Sequence, residues 1–134
     1  MILLCDEDIG VGVPTALQLV GYETISMAKQ GWLGIPDERW LEQAGRNGWL
    51  ALSCNKKMLS VPAERETLIR EKVGIIFLTS GQEYSARVLR LLLVKWSWLE
   101  NIDRTAPRPF AWFLSPAGRT SQSYRGLKLQ SSGL

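Results

Sequence analysis

The sequence predicts an α/β domain in which a mostly parallel β-sheet lies between layers of α-helices. Five short apolar segments end at charged or turn-forming residues, and segments with the spacing of amphipathic helices separate them. This alternation of strands and helices favours a parallel sheet with helices on both faces. The length of 134 residues suits one domain, which buries roughly two-thirds of the surface that its unfolded chain exposes.

The predicted elements follow one another along almost the whole chain. Strands are predicted within residues 1–5, 22–27, 49–54, 74–79 and 110–114, and helices within residues 14–20, 36–47, 62–72 and 85–102. Proline is favoured in the first turn of a helix and glycine just after its end, and both signals recur at these boundaries. The last helix follows Ser80-Gly81-Gln82-Glu83, which has the spacing of a capping box.

The chain contains no histidine, and this absence excludes several kinds of chemistry. Ser-His-Asp and Cys-His nucleophilic mechanisms and acid/base catalysis by histidine are all ruled out. Cys5 and Cys54 each close an apolar run, which is typical of reduced, buried thiols rather than of a disulfide or a zinc site. Carboxylates, lysines and water remain available for catalysis.

The charge distribution and the apolar segments indicate where the protein acts. No segment approaches the ~20 apolar residues that cross a bilayer, and the N-terminus lacks signal-peptide features. The sequence therefore predicts a cytoplasmic protein without a membrane partner. Residues 1–54 contain seven acids and three bases, whereas residues 55–134 contain six acids and thirteen bases. This split suits a hard cation in the first half and a polyanion on the second, although it also occurs in proteins that bind neither.

Three consecutive acids, Asp6-Glu7-Asp8, follow the first predicted strand. Ligands and metals are commonly held at the carboxyl ends of parallel strands, so Asp6 and Asp8 are candidate site residues. The alternative is that one of them caps the following helix, since aspartate is a favoured N-cap residue. Capping suits Asp8 better than Asp6, which lies very close to the strand.

A second acid, Asp37, is predicted at the start of a helix. Asp37 shares the spacing of Trp40, Leu41 and Ala44, so it lies at the edge of the apolar stripe that faces the sheet. Because a helix that follows a parallel strand starts at the carboxyl edge, Asp37 should lie near Asp6. The alternative is that Asp37 only stabilises the helix dipole.

The third predicted strand leads directly into Asn55-Lys56-Lys57 at the same edge. Carboxylate and amide oxygens are ligands that Mg²⁺ and Mn²⁺ prefer, so Asp6, Asp8, Asp37 and Asn55 form a candidate metal and catalytic site. Such an ion activates water and stabilises a leaving oxygen during phosphodiester cleavage. Lys56 and Lys57 are candidate contacts to nucleic-acid phosphates.

The 85–102 helix carries two apolar stripes. The first contains Leu89, Leu92, Trp96 and Leu99, and the second contains Val88, Leu91, Trp98 and Ile102. A helix that packs only on a sheet needs one stripe, so the second suggests a homodimer or partner surface. The alternative is that a neighbouring helix of the same domain covers both.

Several of these segments resemble a known family. The relevant runs are Leu4-Cys5-Asp6-Glu7-Asp8, Pro36-Asp37-Glu38-Arg39-Trp40-Leu41, Gly48-Trp49-Leu50-Ala51-Leu52-Ser53-Cys54-Asn55-Lys56-Lys57, Arg108-Pro109-Phe110 and Pro116-Ala117-Gly118-Arg119. Together, from residue 2 to about residue 120, they resemble PIN-like domains grouped with VapC-type toxins. The resemblance implies a three-layer α/β/α nuclease fold over residues 1–124, and we expect residues 125–134 to form a flexible tail.

The resemblance also implies a function and roles for single residues. It implies an endoribonuclease that depends on Mg²⁺ or Mn²⁺, in a type II toxin-antitoxin system with a cognate antitoxin protein. Asp6 matches the acid after the first strand, Asp8 the acid that often follows, and Asp37 the acid at the helix start. Asn55 departs from the family, which commonly has aspartate there. A catalytically silent PIN-like module that binds RNA or a protein is therefore the alternative.

Overall fold

The computed structural model describes residues 1–80 and 84–122, and these residues form a six-stranded sheet. The strands are β1 (Leu3–Cys5), β2 (Thr24–Ser26), β3 (Leu50–Ser53), β4 (Gly74–Leu78), β5 (Phe110–Leu114) and β6 (Thr120–Gln122). Their order across the sheet is β2-β1-β3-β4-β5-β6. The first five strands run parallel and β6 runs antiparallel to β5, so the prediction of a mostly parallel sheet is confirmed.

The described residues contain five α-helices. They are α1 (Gly12–Leu19), α2 (Asp37–Asn47), α3 (Pro62–Arg70), α4 (Ser85–Val94) and α5 (Trp96–Thr105), and two short 3-10 helices span Glu7–Ile9 and Lys56–Leu59. Helix α2 ends at Gly48, as predicted, because glycine readily adopts the left-handed conformation found there at φ 67°. In this part of the chain no helix has the length and apolar character to cross a membrane.

The helices cover both faces of the sheet. Successive residues of a strand point to opposite faces, and β1 follows this rule. Leu3 and Cys5 belong to a core formed with apolar side chains of α1, α4 and α5. Leu4 belongs to a second core formed with side chains of α2 and α3. The predicted three-layer α/β/α architecture is therefore confirmed.

The carboxyl edge of the parallel sheet collects the segments that carry acids. Strand β1 lies between β2 and β3, so the acidic segment that follows β1 leaves the sheet between the ends of these two strands. The Asp6 N–H still donates to Leu52 O of β3 at 2.9 Å, which ties the start of the acidic segment to the sheet. Helix α2 packs closely against the end of α3 at Gly45. Any side chain there would clash, since its Cβ atom would lie only 2.4 Å from the backbone oxygen of Glu71, which caps α3.

The prediction of one long helix over residues 85–102 is wrong. Lys95 leaves helical geometry and divides the segment into α4 and α5, and α5 ends at Thr105. Three members of the second stripe, Val88, Leu91 and Trp98, are half-buried against the core of the same domain, and Ile102 is buried. Helices α4 and α5 therefore both pack on the same core. A homodimer surface on α4 and α5 remains a prediction.

Strand β6 was not predicted from the sequence. The predicted turn at residues 115–118 is present, with the Gly118 N–H donating to Ser115 O at 2.9 Å, and it leads into β6. Thr120, Ser121 and Gln122 form a short polar edge strand without an apolar face, so periodicity gives no signal for it. Residues 81–83 of the predicted capping box, the boundary at residue 124 and the predicted tail lie outside the described residues.

Candidate functional site

Asp6 directly follows β1 and is 5% exposed. Its Oδ1 accepts a hydrogen bond from the Glu7 N–H at 2.7 Å, so Asp6 caps the 3-10 helix Glu7–Ile9. Its Oδ2 accepts a hydrogen bond from Ser53 Oγ at 2.8 Å. The expectation that Asp8 would be the better cap is therefore wrong, because the helix that follows is a 3-10 turn starting one residue after Asp6.

Ser53 links Asp6 and Asp8 to the end of β3. Its hydroxyl oxygen is buried and lies 2.8 Å from Asp6 Oδ2 and 3.2 Å from Asp8 Oδ2. A hydroxyl has one proton to donate, so it serves one carboxylate at a time. Asp8 Oδ2 also accepts the Cys54 N–H at 3.0 Å. Asp6 and Asp8, which follow β1, thus lie together against the carboxyl end of β3, at the edge of the sheet where the sequence predicts the site.

The proximity of the acids changes their affinity for protons. Burial, together with the negative charge of Asp8, raises the pKa of Asp6 to about 7, although hydrogen bonds from Ser53 and Glu7 oppose the rise. Burial also raises the pKa of Asp8 against the hydrogen bonds from Cys54 and Ser53. Desolvation and like charge both disfavour ionised carboxylates. Near neutral pH this pair therefore needs a proton or a cation to balance its charge.

Asp37 is the first residue of α2 and lies close to this pair. Its Oδ1 accepts a hydrogen bond from the indole N–H of Trp40 at 2.9 Å. The negative charge of Asp37 contributes to the raised pKa of Asp6 and of Asp8. A role in the helix dipole alone does not account for these contacts.

Glu64, in the first turn of α3, extends the acidic group beyond the predicted residues. Burial, followed by the negative charge of Asp37, raises the pKa of Glu64 to about 7, and the two side chains share a hydrogen bond. A protonated carboxyl group is a donor, so protonated Glu64 donates to Asp37. The other oxygen, Glu64 Oε2, is buried without a hydrogen-bond partner in the described part of the chain.

Glu64 was missed by the sequence analysis, yet a signal for it existed. Pro62 marks the start of α3 and places Glu64 in its first turn, as Pro36 places Asp37 in the first turn of α2. Because α2 and α3 lie on the same face of the sheet, two acids at their starts can meet. The missing information was the contact between the two helices, which one sequence does not contain.

Asn55 adjoins the acids through its backbone. Its N–H donates to Ser53 Oγ at 3.0 Å, while its half-buried side chain has no hydrogen bond within residues 1–80 and 84–122. Lys56 and Lys57 begin the 3-10 helix that follows, and both are exposed. Neither forms a salt bridge to any described residue, so no carboxylate of the described chain neutralises their ammonium groups.

The two cysteines are free thiols, as predicted, but only Cys5 is buried and Cys54 is half-buried. Burial, with the charges of Asp6 and Asp8, raises the pKa of Cys5 to about 12. Burial, with the charge of Asp8, raises the pKa of Cys54 to about 11. The thiolate is the nucleophilic form, so both cysteines are held in an unreactive state. Neither cysteine suits nucleophilic catalysis.

The donor chemistry of the acidic group fits a hard divalent cation. Asp6, Asp8, Asp37 and Glu64 supply only oxygen donors, which suit Mg²⁺ or Mn²⁺. Within the described ranges, no three histidine, cysteine or acidic side chains are arranged as a metal site. In the present arrangement Asp6 accepts a hydrogen bond from Ser53, and Asp37 shares one with Glu64. The buried, unpaired Glu64 Oε2 is available to a cation once the Glu64 proton is lost.

The fold and this cluster define an α/β domain with an acidic centre at the carboxyl edge of a parallel sheet. A family model described as a PIN-like domain matches residues 1–80, which include every predicted site residue and Glu64. The chain therefore belongs to the PIN-like domain family, whose members are typically nucleases and generally use divalent metal ions. The comparison finds no similar curated protein and no similar solved structure. The relation to VapC-type toxins stays a prediction.

Proposed function

We propose that this protein is a metal-dependent endoribonuclease that acts as the toxin of a type II toxin-antitoxin pair. The observation that carries the proposal is the convergence of Asp6, Asp8 and Asp37, whose charges act on one another at one edge of the sheet. Like charges are costly to hold together without a function or a counter-ion. Membership of a family of nucleases gives the cluster a chemical context.

Asp6, Asp8 and Asp37 are the proposed ligands of Mg²⁺ or Mn²⁺, and we add Glu64 to the set of predicted residues. A divalent ion bound there would orient a phosphodiester, lower the pKa of an attacking water and stabilise the leaving oxygen. Ser53 and the Glu7 N–H hold the Asp6 carboxylate in a fixed orientation. Protonated Glu64 donates a hydrogen bond to Asp37, and both carboxylates would be available to a divalent ion once that proton is lost.

Lys56 and Lys57 are the proposed contacts to RNA phosphates beside the acids. Both lysines are exposed and lie in the 3-10 helix that begins three residues after Ser53, the last residue of β3. Neutralising phosphate charge offsets the repulsion between a polyanion and an acidic centre. Asn55 is proposed as a neutral ligand or as a group that orients water, because its amide oxygen cannot act as a base near neutral pH.

A catalytically silent PIN-like module that binds RNA or a protein is the second candidate. Two observations favour it: Asn55 carries no charge, and the described acids are not arranged as a metal site. Such a module would bind RNA equally well with EDTA, and its binding would weaken steeply with salt. The enzyme, in contrast, would lose cleavage in EDTA.

A cleavage assay separates these candidates. Purified protein would be incubated with single-stranded RNA, structured RNA and single-stranded DNA, in Mg²⁺ or Mn²⁺ and in EDTA. The endoribonuclease predicts internal cleavage of RNA only with metal. Retention of RNA without cleavage in any condition would support the silent module, and neither binding nor cleavage would remove both candidates.

The toxin role is tested in cells. Induced expression of the parent protein should arrest growth, and a variant with Asp6→Asn should not, at an equal protein level. The reading frame next to this one should relieve the arrest when it is expressed together with the parent. Unimpaired growth with abundant, catalytically active protein would contradict the toxin role while leaving the nuclease role intact.

A further inference from the structure

A groove lies beside the carboxyl ends of β4 and β5, away from the acids. It has a volume of about 550 Å³ and is open to solvent. Its apolar residues include Leu78 at the end of β4, Leu114 at the end of β5 and Leu91 of α4. The groove is therefore built by the sheet edge and by helix α4, and none of the four acids of the candidate site lines it.

The polar rim of the groove is cationic. Arg87 and Arg90 of α4 and Lys95 at the break before α5 line it, and none of the described lining residues is acidic. Arg87 and Arg90 are three residues apart on one helix and so lie on the same side of it. Within the described chain, neither Arg90 nor Lys95 forms a salt bridge. Anions can therefore approach both groups without breaking an ion pair.

An exposed aromatic ring lies next to this rim. Tyr84 is 79% exposed, and the guanidinium carbon of Arg87 lies 6.0 Å from the centroid of its ring. Exposed aromatic rings beside cationic side chains are suited to stack unpaired bases while the cations contact the phosphates. In a duplex, stacking buries the faces of the bases and pairing occupies their edges, so this combination favours a single strand over a duplex.

The groove lies at the same carboxyl edge of the sheet as the acids. Strand β3 separates β1 from β4, and β5 follows β4. Neighbouring strands are about 4.8 Å apart, so the ends of β4 and β5 lie roughly 10 and 15 Å from the end of β1. A strand of nucleic acid that reaches from Asp6 to the groove therefore needs to span only a few nucleotides.

We propose that this groove binds the single-stranded RNA substrate on one side of the bond to be cleaved. Arg90 and Lys95, with Arg87, contact consecutive phosphates, the apolar floor takes a base or a ribose, and Tyr84 stacks on a neighbouring base. The inference rests on the proposed ribonuclease function and extends it, since it assigns substrate strandedness and length. Lys56 and Lys57 would then contact the strand nearer to the acids.

Binding in EDTA tests the groove without cleavage. A labelled ten-nucleotide single-stranded RNA would be titrated with the parent, with Arg90→Gln/Lys95→Gln, and with Lys72→Gln as the matched control. Lys72 is exposed and precedes β4, at the opposite edge of the sheet. The double variant should bind at least tenfold more weakly at low salt. Its plot of log affinity against log salt should also be shallower by about 1.4, or about 0.7 for each lost phosphate contact.

Tyr84→Leu separates stacking from charge. Loss of one stacked base should weaken binding of the same RNA about fivefold or more, while the salt slope stays that of the parent. A duplex of the same sequence should bind more weakly than the single strand to the parent. Unchanged affinity in both the double variant and Tyr84→Leu, with native circular dichroism, would overturn the proposal.

Other outcomes distinguish this inference from the function on which it rests. If the parent cleaves RNA but the double variant binds and cleaves like Lys72→Gln, the groove proposal fails and the ribonuclease stands. If the parent never cleaves RNA yet the double variant loses binding, the groove stands and the ribonuclease fails. A parent that sediments as a dimer, and a double variant that is monomeric with unchanged RNA binding, would make this face an interface between copies and overturn the proposal.

Discussion

Ser53 Oγ lies 2.8 Å from Asp6 Oδ2 and joins the end of β3 to the first acid of the site. The same oxygen lies 3.2 Å from Asp8 Oδ2 and accepts the Asn55 N–H at 3.0 Å. One buried hydroxyl therefore organises the segments after two neighbouring strands. Its substitution should affect stability and the site together.

Ser53→Ala should lower the free energy of unfolding by about 1–3 kcal/mol, because a buried carboxylate loses its hydrogen bond from the hydroxyl. Urea unfolding at pH 8 in EDTA would measure this change. Ser97→Ala is the control, since Ser97 is exposed on α5, and it should stay within about 0.5 kcal/mol of the parent. Equal stability of the two variants would show that the Ser53–Asp6 contact contributes nothing.

The raised pKa values of Asp6 and Glu64 predict how stability depends on pH. Both have a folded-state pKa of about 7, above the ordinary values of 3.8 and 4.5. Between about pH 4 and pH 7 the folded protein keeps protons that the unfolded chain has released, so these groups make stability fall as pH rises. Above pH 7 their contribution becomes constant.

Urea unfolding of the metal-free protein between pH 5 and pH 8 would test this dependence. The parent should lose stability across this range, and the variant Asp6→Asn/Glu64→Gln should lose distinctly less, because the two titrating groups are gone. Glu66→Gln is the matched control, since Glu66 is exposed on the same helix as Glu64. Parallel pH profiles for the parent and the double variant would contradict the assignment.

Glu64→Gln tests the acid that the sequence analysis missed. If Glu64 completes the cation site, neutralising it should weaken Mn²⁺ binding about tenfold or more, which corresponds to roughly 1.4 kcal/mol. Calorimetric titration with Mn²⁺ at pH 8 would measure the affinity, with Glu66→Gln again as control. An affinity like that of the parent would restrict the site to Asp6, Asp8 and Asp37.

Asn55→Asp should tighten metal binding, because it adds a negative charge next to Ser53. A carboxylate ~4 Å from a unit positive charge interacts by about 4 kcal/mol at an effective dielectric of ~20, but desolvation and repulsion from the other acids oppose much of this. We expect a net gain of about one to two kcal/mol, or roughly tenfold in Mg²⁺ affinity. Equal Mg²⁺ affinity and equal cleavage by both proteins would place Asn55 outside the site.

The sheet and the Asp6–Asp8 pair could be predicted because both depend on local patterns. Apolar runs set the strands, and parallel strands bring the residues after their carboxyl ends to one edge. The division at Lys95 could not be predicted, since no glycine or proline marks it and the apolar spacing continues across it. The Asp37–Glu64 contact depends on how α2 packs against α3, and therefore on residues far apart in the chain.

The most direct test of the central claim is cleavage of a single-stranded RNA by the parent and by Asp6→Asn, with Mn²⁺ and with EDTA. Glu100→Gln, an exposed substitution on α5, serves as the charge-matched control. We expect Mn²⁺-dependent cleavage by the parent and by Glu100→Gln, and a loss of at least a hundredfold in Asp6→Asn that remains folded. Cleavage by Asp6→Asn at the rate of the parent, or cleavage by the parent that persists in EDTA, would contradict it.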